Sequence, residues 1–129
     1  MKLLLDTHIF LWYISGDSRL PVNILEEIRN VDNEVYLSVV SLWEIIVKYQ
    51  LGKLPLPQTP EIYIPIQREK HLISSLPLDE VSVSNLSKLP QAHRDPFDRM
   101  LICQAIEHGL TITTIDESIC SYPIAVLKG

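Results

Sequence analysis

The sequence is poor in cysteine and contains no long apolar run. Cys103 and Cys120 are its only cysteines among 129 residues, and they do not form a spaced metal-binding motif. No apolar stretch approaches the ~20 residues needed to cross a bilayer, and the leucines after Lys2 are interrupted by Asp6 too early for a signal peptide. We therefore expect a cytoplasmic protein with no membrane partner, whose cysteines stay reduced.

Positive charge is also scarce. The sequence has 11 Lys and Arg against 16 Asp and Glu, which gives a net charge of −5 at pH 7. Nucleic-acid-binding proteins are usually basic, so this balance argues against a simple coating of RNA or DNA. Five of the acids fall in the candidate site segments discussed below, and without them 11 acids would face 11 bases. The excess negative charge is consistent with one local cluster that a divalent cation would offset.

Length and apolar content predict one globular domain covering residues 1–129. The continuous apolar run at 3–5 is typical of a strand that is covered on both faces. Further strand candidates alternate with helical patterns at 35–37, 74–78, 110–114 and 122–127. This alternation predicts an α/β fold in which helices cover both faces of a parallel sheet.

Two acids directly follow predicted strands. Asp6 comes after the first strand and Asp116 after the fourth, and ligands bind at the carboxyl ends of strands in open α/β sheets. For Asp6 an alternative interpretation is equally good from this stretch alone, because Asp is a favoured N-cap and a helix is predicted to start at Thr7.

Three further acids lie near predicted helix starts. A helix is predicted over 38–51 with Ser38 as its cap. Glu44 lies off the apolar stripe of this helix, where it could equally form a capping box with Ser41 or an exposed ion pair with Lys48. Asp95 precedes a proline and is predicted to be an N-cap. Asp98 lies one turn further on, close to apolar residues, where capping explains it less well.

In a parallel sheet the carboxyl ends of the strands share one edge, so Asp6, Glu44, Asp98 and Asp116 are expected to converge. Like charges ~4 Å apart repel by about 4 kcal/mol per pair at an effective dielectric near 20, and a cation relieves this. Carboxylate oxygens suit Mg²⁺ or Mn²⁺ better than Zn²⁺, and the four histidines show no metal spacing. Such sites carry out phosphoryl chemistry, so a phosphodiester hydrolase is the resulting hypothesis.

Four segments, in this order, resemble PIN-domain proteins of the VapC-type toxin group, and the resemblance covers essentially the whole chain. The segments are Leu4-Leu5-Asp6-Thr7-His8, Ser41-Leu42-Trp43-Glu44-Ile45 with Lys48 and Gly52-Lys53-Leu54, His93-Arg94-Asp95-Pro96-Phe97-Asp98-Arg99-Met100-Leu101, and Thr113-Thr114-Ile115-Asp116. The resemblance implies a three-layer α/β/α sandwich with a short, mainly parallel sheet. It also implies a Mg²⁺- or Mn²⁺-dependent endoribonuclease, a small cognate antitoxin and a homodimer.

The family's catalytic, metal-binding acids map onto positions that this sequence fills completely: Asp6, Glu44, Asp98 and Asp116. We expect Asp6 and Asp98 to hold the principal ion. Asp95 is an additional acid that is interpreted first as structural, and the hydroxyls of Thr7 and Thr114 are expected to contact ligand water.

Cations near these acids are candidates for contacts to RNA phosphates. They are Lys48, Arg94 and Arg99, and each has the alternative role of a salt-bridge partner to the acids. Trp12 and Trp43 could stack on bases, although aromatic residues in apolar helices more often belong to the core.

Two other functions compete with the nuclease hypothesis. A phosphoacceptor receiver module would need an Asp within the third strand, which 74–78 lacks, and a Lys after the last strand, where Lys128 comes too late. The other alternative is a catalytically inactive PIN domain that only binds RNA or protein, and the complete set of acids argues against it.

Overall fold

A computed structural model describes residues 1–90 and 95–129. The strands form one five-stranded sheet with the order β3-β2-β1-β4-β5, and every pairing in it is parallel. Their bounds are β1 Lys2–Leu5, β2 Glu34–Ser38, β3 Ser74–Leu76, β4 Thr111–Thr114 and β5 Val126–Lys128. The predicted α/β class is confirmed. The third strand is shorter than predicted, and the last begins later, at Val126.

The helices lie between the strands in the predicted alternation. Their bounds are α1 Thr7–Ser15, α2 Val22–Arg29, α3 Val39–Gln50, α4 Pro60–Lys70, α5 Glu80–Ser84, α6 Pro96–His108 and α7 Glu117–Cys120, with a 3-10 turn at Asn85–Lys88. Within the two described ranges, no helix combines the length and the apolar character that a membrane crossing requires.

Successive leucines of β1 point to opposite sides of the sheet. Leu3 and Leu5 belong to one buried cluster, which α1, α2 and α4 help to form, and Leu4 belongs to a second cluster with residues of α6. The predicted burial of both faces is therefore confirmed, because side chains along a strand alternate between its two faces. The result is a three-layer α/β/α arrangement.

Pro65 lies inside helix α4 and not at its start. Helix α4 begins at Pro60, whose missing amide proton suits the first turn, and continues through Pro65 to Lys70. The buried side chain of Ile64 packs in the cluster that contains Leu3. Packing of the apolar face therefore outweighs the lost backbone hydrogen bond in this helix.

Strands β1 and β4 place two of the predicted site segments side by side. Leu5 pairs with Thr113, and the amide of Asp6 donates a hydrogen bond to the Thr113 carbonyl at 3.0 Å. The chain therefore leaves both strands at the same edge of the sheet, with Asp6 after one strand and Asp116 after the other. This edge contains the candidate active site.

Candidate active site

A cavity of about 770 Å³ opens at the carboxyl edge of the sheet. All five acids singled out from the sequence line it: Asp6, Glu44, Asp95, Asp98 and Asp116. Residues that lie up to 110 positions apart in the sequence (6 and 116) thus share one concave surface. Their predicted convergence on one edge is observed, while their catalytic and metal-binding roles stay predictions.

Asp6 is buried and held by one threonine. Only 6% of it is exposed, and the Thr114 hydroxyl donates a hydrogen bond of 2.8 Å to its Oδ2. Burial raises the pKa of Asp6 above its ordinary value, although the Thr114 hydrogen bond and the nearby His8 act in the opposite direction. Asp6 occupies the N-cap position of α1, but its side chain makes no capping hydrogen bond, so the capping interpretation does not explain it.

Glu44 is also buried, with 2% of it exposed. Thr7 Oγ1 lies 2.7 Å from Glu44 Oε1 and 2.9 Å from Ser41 Oγ. A hydroxyl carries one proton, so donation to the charged Glu44 leaves Thr7 to accept from Ser41. The predicted ion pair with Lys48 forms, with Lys48 Nζ 2.5 Å from Glu44 Oε2. The prediction that this pair is exposed is wrong for Glu44, whose side chain is buried.

The predicted capping box around Glu44 does not form. Helix α3 begins at Val39, and its cap is Ser38, whose hydroxyl accepts from the Val40 amide at 3.0 Å. Ser38 was the predicted cap of this helix, and that prediction is confirmed. Glu44 therefore lies in the second turn, where it faces the cavity instead of the helix end.

Asp95 and Asp98 open helix α6. The Oδ1 atom of Asp95 accepts hydrogen bonds from the amides of Phe97 at 2.9 Å and Asp98 at 3.2 Å, which confirms the predicted N-cap. Asp98 follows in the first turn and is buried. The N-terminus of α6 thus carries two carboxylates to the cavity, where the helix dipole stabilises negative charge.

Asp116 is linked to Asp6 through a single hydroxyl. Its amide donates to Thr114 Oγ1 at 2.9 Å, while the same oxygen donates its proton to Asp6. The Asp116 side chain accepts from the Ser118 amide at 2.8 Å and so caps α7. Thr114 therefore fixes the relative positions of the two strand-end acids.

Comparisons with known proteins agree with this architecture. The family model described as "PIN domain" matches residues 3–124. The chain belongs to the PIN-domain family. "Ribonuclease VapC16" of Mycobacterium tuberculosis (strain ATCC 25618 / H37Rv) is 34% identical over 71 residues, which are 52% of this chain and 50% of that protein. The match thus spans about half the length of this curated relative.

Solved structures show the same fold at low identity. One is VapBC2 from Rickettsia felis bound to a promoter DNA fragment, with a TM-score of 0.74, 15% identity and coverage of 100% of this chain and 99% of that chain. Another is DNA-bound VapBC from Salmonella typhimurium, with a TM-score of 0.72, 20% identity and coverage of 99% and 98%. VapBC-1 from nontypeable Haemophilus influenzae has a TM-score of 0.67, 18% identity and coverage of 99% and 98%.

Lys48 is the cation inside the acidic part of this PIN domain's cavity. Its side chain is 37% exposed and contacts Glu44 Oε2. Partial burial acts to lower the pKa of Lys48, but Glu44, followed by Asp95 and Asp98, raises it overall, so the ammonium group stays charged. Lys48 therefore offsets part of the negative charge that the acids bring together.

The chemistry of the donor set fits a hard divalent ion, since six carboxylates, Asp17 among them, line the cavity, and Mg²⁺ and Mn²⁺ prefer oxygen ligands. In its arrangement it is not a preformed site. Within residues 1–90 and 95–129, no group of three or more His, Cys, Asp or Glu side chains is placed so that it could hold a metal ion. Glu44 is instead paired with Lys48.

Arg94 and Arg99 are the other two predicted phosphate contacts. Arg94 lies outside the described residues. Arg99 is absent from the described cavity lining, and its Nη1 donates to the Pro90 carbonyl at 2.6 Å and the Tyr122 hydroxyl at 3.1 Å. These contacts support a structural role for Arg99, which links α6 to Pro90 and Tyr122. We therefore do not retain Arg99 as a phosphate contact.

Trp12 of α1, one of the two tryptophans considered for base stacking, lines the cavity together with Arg19 and Tyr63, which the sequence interpretation missed. Trp43, the other tryptophan, is absent from the described lining and packs edge-on against Phe97, with ring centroids 4.8 Å apart. The helical spacing of His8 and Trp12 could have shown that both share one face of α1. Arg19 lies after that helix, and no motif indicated it.

Proposed function

We propose that this PIN domain, covering residues 1–129, is a Mg²⁺- or Mn²⁺-dependent endoribonuclease of the VapC type that hydrolyses RNA phosphodiester bonds. The observation that carries the proposal is the single cavity lined by the five site acids, three of which, Asp6, Glu44 and Asp98, are buried. The name of the relative that is 34% identical over half its length, a ribonuclease, supports the same chemistry.

We further propose that the chain is the toxin of a type II toxin–antitoxin pair, that it is cytoplasmic, and that it forms a homodimer. One structure with the same fold is described as a toxin–antitoxin complex and another as a member of the VapBC family of toxin–antitoxin systems, which supports a small cognate antitoxin as the protein partner. The net charge of −5 also favours a partner or substrate that approaches through a small basic or metal-bridged contact.

In the proposed mechanism Asp6, Glu44, Asp98 and Asp116 would hold the ion. A bound Mg²⁺ or Mn²⁺ would supply an activated water and stabilise the leaving oxygen. One of the carboxylates accepts the proton of the attacking water as the new P–O bond forms, and the leaving ribose oxygen takes up a proton from solvent as its P–O bond breaks.

The two threonines orient carboxylates in this mechanism. Thr7 donates to Glu44 and Thr114 donates to Asp6, so the single proton of each hydroxyl is already committed. This replaces the predicted contact to ligand water. Held carboxylates lose less rotamer freedom when they bind an ion, which favours binding. Lys48, released from Glu44, is the proposed phosphate contact.

The test is cleavage of single-stranded RNA by the purified protein with Mg²⁺ or Mn²⁺, with and without EDTA. Asp6→Asn keeps the size and a hydrogen-bond acceptor for Thr114 but removes the charge, so we expect a loss of at least 100-fold, the scale of one essential electrostatic group. Asp32→Asn is the matched control, because Asp32 is exposed in a turn before β2. Equal activity of both variants and the wild type would contradict the metal role of Asp6.

A PIN domain that binds RNA or protein without cleaving is the second candidate, because Lys48 is paired with Glu44 and no metal-ready group is found among the described residues. Calorimetric titration with Mn²⁺ separates the two candidates, since the nuclease must bind the ion and the binding module need not. The receiver alternative loses support, because β3 contains no Asp and Lys128 contacts Glu117.

A further inference from the structure

The cavity is much larger than a hydrated ion requires. Its volume is about 770 Å³, whereas an ion with six waters needs roughly 180 Å³ at ~30 Å³ per water. Its size lies in the range of pockets that accept drug-sized organic ligands. The space away from the acids is bounded by one face of α1, by the segment 54–57 and by Tyr63 of α4. This space is left unexplained by metal binding alone.

Trp12 and Arg19 pack together in this wall and give it an aromatic, charged surface. The Arg19 guanidinium carbon lies 5.1 Å from the centroid of the Trp12 ring, within the range of a cation–π contact. Asp17 holds the guanidinium from the side, with Nη2 to Oδ2 at 2.7 Å and Nε to Oδ1 at 3.1 Å. The Arg19 side chain is nevertheless 70% exposed, so it remains accessible from the cavity.

This surface continues directly into the acidic site. His8 lines the cavity beside Asp6, and its ring lies 6.2 Å from the ring of Trp12, one turn further along α1. Planar groups thus follow one another from the acid that ends β1 to the guanidinium at the far wall. A strand of RNA whose phosphate sat at the acids would place an adjacent base against them.

We propose that Trp12 and Arg19 form a stacking subsite for an unpaired RNA base next to the scissile phosphodiester, an inference that rests on the proposed nuclease function. Single-stranded RNA is recognised by stacking of its bases on aromatic rings and guanidinium planes. Arg19 Nη1 has no hydrogen-bond partner within the described part of the chain, so its protons are available to acceptors on a base edge.

A base fits this wall better than an apolar protein segment does. The Trp12–Arg19 surface presents the Arg19 guanidinium group, one side of which is already paired with Asp17. An aliphatic side chain placed there would cover the guanidinium without offering acceptors to it, whereas a base offers both a π face and carbonyl or ring-nitrogen acceptors.

The experiment measures how strongly binding depends on the bases. Fluorescence anisotropy in EDTA gives the Kd of a labelled ten-nucleotide single-stranded RNA and of a fully abasic oligonucleotide of the same length. The Kd of the abasic oligonucleotide is divided by the Kd of the RNA. This ratio cancels the backbone contribution and reports how much the bases contribute to binding. Trp12→Leu and Arg19→Lys should each reduce this ratio by about 5- to 150-fold, the range expected for loss of one stacked base.

The two variants and one control separate stacking from charge and from misfolding. Arg19→Lys keeps the positive charge but loses the planar group, and its exposed position leaves folding intact even if Trp12→Leu is destabilised. Trp43→Leu is the matched control, because Trp43 is 54% exposed and absent from the described cavity lining. It should leave the ratio unchanged.

Parallel cleavage assays distinguish this inference from the proposed function. Cleavage by the wild type together with an unchanged ratio in Trp12→Leu and Arg19→Lys would overturn the stacking subsite and leave the nuclease standing. No cleavage with Mn²⁺, but a ratio reduced by both variants, would overturn the nuclease and support the subsite. An unchanged ratio combined with lost binding of a cognate antitoxin in Trp12→Leu would assign the wall to protein instead, and so overturn the subsite.

Discussion

Two neighbouring threonines of β4 should respond in opposite ways to the same substitution. Thr113 and Thr114 are both fully buried, and valine replaces threonine with nearly the same shape and the same β-branching. The Thr114 hydroxyl donates to Asp6 and accepts from the Asp116 amide. The Thr113 hydroxyl, in contrast, has no hydrogen-bond partner in the part of the chain that the structure describes.

The magnitudes follow from these contacts. Thr114→Val removes a side-chain hydrogen bond to a buried carboxylate, so we expect the free energy of unfolding to fall by about 2–3 kcal/mol. Thr113→Val removes a buried hydroxyl that lost its water and gained no partner, and replaces it with a methyl group. We expect a gain of about 1 kcal/mol for this variant. The two variants should therefore differ by about 3–4 kcal/mol.

Urea unfolding at neutral pH in EDTA measures both free energies under the same conditions. Because the two positions are adjacent in one strand, they share burial, strand propensity and sequence context, and each variant serves as the control for the other. Equal losses in the two variants would refute the reasoning, since they would show that the hydroxyl of Thr114 contributes nothing that a buried hydroxyl at Thr113 does not.

Three further predictions concern charges in the cavity. Lys48→Met leaves Glu44 buried without its cation, so in EDTA the free energy of unfolding should fall by about 1–2 kcal/mol, a value reduced for the partial exposure of Lys48. Calorimetry should show that this variant binds Mn²⁺ more tightly. Lys53→Met, at an exposed lysine, is the control and should change neither quantity. Burial raises the pKa of Asp6, so its contribution to stability is present below its ordinary pKa of 3.8 and is lost as pH rises through the raised value. Asp6→Asn should therefore gain stability over the wild type as pH rises from 3.8 through the raised pKa, as measured by urea titrations with EDTA, and a constant difference would contradict this. Asp95→Ser keeps a good N-cap, so urea unfolding should change by less than about 0.5 kcal/mol, and weaker Mn²⁺ binding would show that this carboxylate also serves the ion.

The sequence predicts the parts of the fold that follow from local rules. The run at 3–5 indicates a strand that is buried on both faces, and Leu4 indeed packs on the opposite side from its two neighbours. Ser38 and Asp95 are favoured N-cap residues and therefore indicate where helices begin, and both form the expected hydrogen bonds. Local hydrogen bonding and period-two alternation need no knowledge of the rest of the chain, which is why these predictions succeed.

Other features depend on contacts between segments that are distant in the sequence, and no local sequence pattern indicates these contacts. Glu44 matches a solvent-exposed ion pair by spacing, yet Thr7, 37 positions earlier, closes over it and buries it. Arg19 belongs to no motif and reaches the cavity because it lies on the ring of Trp12. Pro65 violates a local rule that packing of Ile64 overrides.

The arrangement of the acids connects stability with ion binding. The repulsion within a cluster of carboxylates must be reduced by the chain itself when no metal is bound. Here Lys48 pairs with Glu44, and burial raises the pKa of Asp6. An incoming ion competes with both forms of relief, so its measured affinity is the difference between its own attraction to the acids and the attraction it replaces. Substitutions that destabilise the metal-free protein by removing that relief should for this reason strengthen ion binding, whereas substitutions that remove an orienting hydroxyl, as at Thr114, should weaken both.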